Sequence, residues 1–183
     1  MSGVTDGPNP ADSVELTGLA AGNIAIAPLT DGSFRVDQLP EAAFENLLVV
    51  SLGTGPRRIE EAVREAGHEP KKVGVVPVSG TELSYDGPMW TSDRVGPNDL
   101  TGISIRVGQG LEFVKPGEGW VVLDSLTVLL MYNETDRVYR LVNSIASNLR
   151  DRNAHGVFTI VRDATSDDSY AQFRNLFDRE MPL

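Results

Sequence analysis

The chain has 183 residues, enough for one domain whose core needs no covalent staple. It holds no cysteine and two histidines, His68 and His155, which removes disulfides, thiolate zinc, iron–sulfur ligation and any histidine-rich metal site. The formal charge of −10 works against binding nucleic acid or an anionic membrane, since both need clustered cations.

Of the 16 basic residues, Lys71, Lys72 and Lys115 are the lysines and the rest are arginine. An acidic, lysine-poor chain reads as a cytosolic protein of a high-salt organism, where excess carboxylates keep the surface hydrated and salt screens their repulsion. No run of ~18 apolar residues is present. The first 13 residues lack the basic and apolar regions of a signal peptide, so the expected location is the cytoplasm.

In chain order, residues 1–20 read as a disordered tail, Gly-, Pro-, Ser- and Asp-rich over the first 13. The domain is then 21–183. A first strand is predicted at Asn23–Ala27, ended by Pro28, with turn residues and a short helix near 40–45 before the next strand. Leu47–Leu52 is apolar without alternation, the mark of a central parallel strand. Gly53–Gly55 turns into a helix that starts at Pro56 and stops at Gly67. A strand follows at Lys72–Val78, then a long polar loop over 79–98. Leu100, Ile103, Val107, Leu111 and Val114 share one helical face behind a cap at Asn98 or Asp99.

Trp120–Asp124 is a buried strand ending in an acid, and 125–131 a short apolar helix. Asn133 reads as the cap of the longest helix, running to about Arg152 with Val138, Leu141, Val142, Ile145 and Leu149 inward. A last strand covers Gly156–Val161. Thr165 and Asp168 form a capping-box-like start for a final helix to about Arg179, with Phe173, Leu176 and Phe177 inward. This alternation predicts an α/β fold: three αβα layers around a mostly parallel sheet.

The segment with the most chemistry is Trp120-Val-Val-Leu-Asp124-Ser125-Leu-Thr127. A hydrophobic strand that delivers an aspartate at its carboxyl end has the form of a Walker B motif, whose carboxylate holds Mg²⁺. VVLDSLTVLLMY, the long helix and GVFTIV after it resemble the RecA/KaiC superfamily of P-loop ATPases. More closely, the chain is similar to small haloarchaeal KaiC-like proteins. LLVVSLGTGPRRIEEAVREAG resembles the strand, turn and helix that follow the nucleotide loop of that superfamily. The resemblance spans about residues 22–180.

It implies three further parts. The first is a phosphate loop of the form G-x-x-x-x-G-K-[ST] after the first strand. That place reads Pro28-Leu-Thr-Asp-Gly-Ser-Phe-Arg35, and no Gly-Lys pair occurs anywhere. Thr30, Gly32 and Arg35 are the groups left there, with Asp124 and Ser125 as the rest of a degenerate site for ATP and Mg²⁺. The second is a catalytic glutamate, where Ser51-Leu-Gly-Thr-Gly55 offers no carboxylate. The third is an arginine finger from a neighbouring subunit. Phosphoryl transfer depends on positioned charge and metal, so the expectation is little or no ATPase activity, no catalytic residue and no cofactor, with Mg²⁺·ATP at Asp124, as a nucleotide-binding protein or weak ATPase, as the alternative. Asp124 is then expected to cap the turn at Ser125 or accept from nearby backbone N–H groups.

Elsewhere, Gly53–Arg58 brings amides and two arginines to a helix start, able to hold an anion, against the plainer reading of solvated arginines. Asp163, Asp167 and Asp168 read as helix-capping surface acids rather than a cation site. His155 reads as a turn residue and His68 as exposed. Tyr85, Met89 and Trp90 read either as partner-binding anchors or as cover for the sheet edge. The function expected is a regulatory or scaffold module with a protein partner or homo-oligomeric contacts, and no nucleic acid or membrane.

Overall fold

A computed structural model describes residues 14–30 and 35–183, and the following statements concern those. Seven strands form one sheet in the order β4-β3-β2-β5-β6-β1-β7. They are β1 Ile24–Leu29, β2 Leu47–Leu52, β3 Val73–Val78, β4 Trp90–Thr91, β5 Trp120–Asp124, β6 His155–Val161 and β7 Arg179–Glu180. Every pairing is parallel. The helices are α1 Val14–Thr17, α2 Pro56–Glu65, α3 Leu100–Leu111, α4 Leu126–Tyr132, α5 Thr135–Asp151 and α6 Asp167–Arg174.

Because both faces are covered, successive strand residues bury on opposite sides. Ile24, Ile26, Leu48, Val50, Val121, Leu123, Phe158 and Ile160 pack under α3, α4, α5 and α6. Ala25, Ala27, Leu47, Val49, Val73, Val122 and Val157 face the other way, under α1, α2 and the segment between β1 and β2. That second layer is thin: α2 is its one helix longer than a turn, and residues 36–38 and 41–45 are 3-10 turns.

Helix α2 starts on Pro56 and is followed by Gly67 in the left-handed region (φ 85°), as its sequence demands. Asp99 caps α3 by accepting from the Gly102 N–H, and the five apolar residues expected on its inner face are buried. Strand β1 runs through Pro28 to Leu29 instead of stopping before the proline. The Ile24, Ile26 and Pro28 carbonyls accept from Asp178, Met181 and Leu183 on the β7 side, so the nitrogen of Pro28 lies toward that short edge and not toward the β6 ladder.

Four expectations need correction. Leu16 and Leu19, read as tail, are buried against the thin layer, so ordered chain begins before residue 21. Residues 1–13, read as disordered, lie outside the described residues. Asn133 is not the cap of α5; Glu134 takes that place, and Asn133 ends α4, where its amide donates to the Pro97 and Leu129 carbonyls. Ser166 rather than Thr165 caps α6, accepting from the Ser169 N–H, while the Thr165 hydroxyl donates back to the Val161 carbonyl. The final helix ends at Arg174, and Arg179 and Glu180 instead add β7 beside β1.

Candidate crevice at the sheet's switch point

The connections after β2 and β5 leave on opposite faces. From β2 the chain enters α2 on the thin layer, and from β5 it enters α4 and α5 on the other. The two strands are neighbours, with Ser51 beside Asp124 in register. Their carboxyl ends therefore form a topological switch point, the place where open α/β sheets bind ligands.

A cleft of about 360 Å³ opens there on the thin-layer face. Val49, Ser51 and Asp124 lie along the strand ends, Ile59, Ala62 and Ala66 come from α2, and Val36 comes from the first 3-10 turn. Arg35 and Arg58 add cationic groups, and Asp37 and Glu65 anionic ones.

Asp124 is the most constrained of these groups. The Thr159 hydroxyl on β6 donates to its Oδ1 at 2.6 Å. Among the described residues no backbone N–H donates to it, so the expected capping of the Ser125 turn is not what holds it. Its Oδ2 has no hydrogen-bond partner among the described residues. Burial pushes the carboxyl above its usual range, and the Thr159 hydrogen bond offsets part of that. Ser125 is buried as the residue before α4 and makes no side-chain cap bond; the Asp124–Ser125 peptide is cis. Ser51 donates to the Thr54 carbonyl at 2.6 Å, tightening the turn into α2.

The resemblance implies Mg²⁺·ATP at the end of β1, and the residues present do not fit that group. Thr30 is exposed and has no partner among the described residues. Gly32 lies outside the described residues. Arg35 is exposed and pairs with Asp37 at 3.4 Å. From 35 to 46 the backbone makes two 3-10 turns and no α-helix, so no helix N-terminus gathers its amides there for phosphates. Strand β6 stands between β1 and Asp124's strand, placing the crevice two strand spacings from β1, about 10 Å. Among the described residues, Arg35 is the group of the expected phosphate segment that reaches the cleft with Asp124.

The other candidates separate. Arg58 lines the cleft, exposed, its guanidinium without an ion-pair or hydrogen-bond partner among the described residues. Asp167 pairs with Arg162 at 2.5 Å, and no group of three side chains suited to a metal occurs among the described residues. Both histidines lie flat on aromatic rings, contrary to the turn and exposed readings: His155 on Trp120 at 4.4 Å and His68 on Phe44 at 3.9 Å between centroids. Met89 is buried, and Trp90 pairs in β4 and packs over Gly74, so these two cover the sheet edge. Tyr85 is half-buried, its hydroxyl accepting from the Met89 N–H.

Thr159 carried a signal that sequence reading passed over. A hydroxyl in the middle of the apolar strand GVFTIV, fully buried, needs a polar partner, and Asp124 on the adjacent strand is that partner.

The parallel sheet with helices on both faces defines a layered α/β fold. The chain belongs to DUF7504, a family of unknown function, whose model matches residues 36–183. No curated protein matches it. Among solved structures it is similar to a KaiC-like protein from the hyperthermophilic archaeon Pyrococcus horikoshii OT3. The TM-score is 0.58 at 9% identity, over 87% of this chain and 70% of that one. At that identity the likeness is one of fold.

Proposed function

We propose that the protein is a non-catalytic RecA/KaiC-like module, a regulatory or scaffold subunit that works through contacts with other protein chains or with copies of itself. The observation that carries this reading is the segment between β1 and β2. It has 3-10 turns where a phosphate loop would need a helix, and its sequence has no lysine. Contact surface is available in support: Met131 and Tyr132, at the end of α4, are 74% and 58% exposed. Large apolar side chains in that state are suited to burial against a partner.

The test is thermal melting with millimolar Mg²⁺·ATP and Mg²⁺·ADP in molar KCl, with phosphate release measured in parallel. The expected result is an unchanged midpoint and no turnover. A second reading, a nucleotide-binding protein with a non-standard phosphate site, is favoured by one observation: Arg35, Arg58 and Asp124 share one cleft. A midpoint that rises with ATP and no longer rises in Asp124→Ala would establish it, because a ligand held by the native state alone stabilises by RT ln(1 + [L]/Kd).

A further inference from the structure

The crevice has features that the scaffold reading leaves unused. It sits where the connections of two adjacent parallel strands part, its volume falls within the range of small-molecule sites, roughly 300–1,000 Å³, and its middle is apolar through Val36, Val49, Ile59 and Ala62. Thr54, Arg58, Glu65 and one oxygen of Asp124 line it without a side-chain partner among the described residues, and two of these groups carry the argument. One is the Oδ2 of Asp124, an acceptor on the β5 strand end. The other is the guanidinium of Arg58, a fork of donors suited to a carboxylate.

The two differ in what they accept. Asp124 is largely buried with no cation bonded to it, so a neutral donor such as a hydroxyl suits it better than another anion does. Arg58 is cationic, stands in the first turn of α2, and adds its charge to the amides and dipole of that helix start. We propose that the crevice binds a small hydroxycarboxylic acid with an apolar body, its carboxylate on Arg58 and its hydroxyl donating to Oδ2 of Asp124. Thr159 acts as the positioning residue: by donating to Oδ1 it fixes the carboxyl plane and leaves Oδ2 for the ligand. This goes beyond the scaffold reading, since a contact module can carry such a ligand or lack it.

The test is amide NMR of the full chain titrated with 4-hydroxyphenylacetate, alongside two controls. Phenylacetate lacks the hydroxyl, and 4-hydroxyphenylacetamide lacks the charge. The expected shifts are confined to residues 35–37, 49–66 and 124–125. The hydroxy acid should bind at least about tenfold more tightly than either control. Arg58→Gln, at an exposed position that the fold does not need, should lower its affinity to that of the amide control. Asp124→Ala should lower it to that of phenylacetate, and Thr159→Val should weaken it while phenylacetate is unaffected. Three equal affinities, shifts elsewhere, or no shifts overturn the proposal. So does Mg²⁺·ATP moving the same amides more strongly than the acid, an outcome that would assign the crevice to nucleotide, while the melting and phosphate-release experiment decides the non-catalytic reading separately.

Discussion

Asp124 costs the fold something. Its carboxyl titrates above the usual range because burial penalises the charge, so the native state holds this proton more tightly than the unfolded chain does. Stability therefore falls as pH climbs from the ordinary carboxylate range through the folded pKa, and the cost persists above it. Asp124→Asn keeps an acceptor for Thr159 and removes the charge. It is expected to raise the melting temperature at neutral pH, with the gain vanishing in acid, as melting curves across pH would read. A variant that melts lower at neutral pH would mean the charge itself is stabilising. His155 has the opposite sign. Burial beside Trp120 pushes its imidazole below the usual range, so stability is lost as pH drops through the ordinary imidazole range. His155→Phe retains a flat ring for the stack and should flatten the acid limb of the stability profile. Asn46, 5% exposed, donates to the Phe113 carbonyl and accepts from the Lys115 N–H, tying the segment after α3 to the start of β2. Asn46→Ala leaves both backbone groups unpaired and should cost about 1–3 kcal/mol in denaturant unfolding.

Among the elements, α5 and α4 mark the contrast between packing and display. Helix α5 buries Val138, Leu141, Val142, Ile145, Ala146 and Leu149 along one stripe, with charged residues on the far side. Leu149→Ala should cost about 2–5 kcal/mol, depending on how far the site collapses. Helix α4 buries Leu126 and Leu129 but leaves Met131 and Tyr132 in solvent. The double change Met131→Asp and Tyr132→Asp should shift stability by no more than about 0.5 kcal/mol per site. If the contact reading holds, it should also abolish any concentration-dependent association seen by sedimentation. Association that survives both charges would move the contact surface elsewhere. The elements themselves were largely legible, since α2, α3, β2, β3, β5 and β6 each carry a period or a punctuating Pro or Gly. The ends were not. Glu134 caps α5 by backbone geometry alone, which no side-chain pattern announces. Strand β7 is two exposed charged residues whose strand character comes wholly from pairing with β1.

At the scale of the molecule, the net charge of −10 is spread over a chain with eight ion pairs among its described residues, all at least partly exposed. Such pairs contribute little each, so the self-repulsion of the excess carboxylates dominates the electrostatics. Melting temperature should therefore rise with KCl up to molar concentration, read by scanning calorimetry. A midpoint that falls as salt is added would contradict the high-salt reading of the composition.

Composition and pattern by themselves determined the α/β class, the order of the main elements and the missing Gly-Lys of a phosphate loop, because hydrophobic period, turn chemistry and the absence of a residue type are local properties. They also singled out Asp124, and offered Arg57 and Arg58 together as an anion-holding helix start against the plainer reading of solvated arginines. What joined Asp124 to Arg58 was the strand order. Placing β5 beside β2, with their connections leaving on opposite faces, brings residues 66 positions apart in sequence to one crevice and sets Thr159 of a third strand against the carboxylate. That order is fixed by how whole faces bury against one another, and the burial of a face is a property of the assembled sheet that no single segment of the chain encodes.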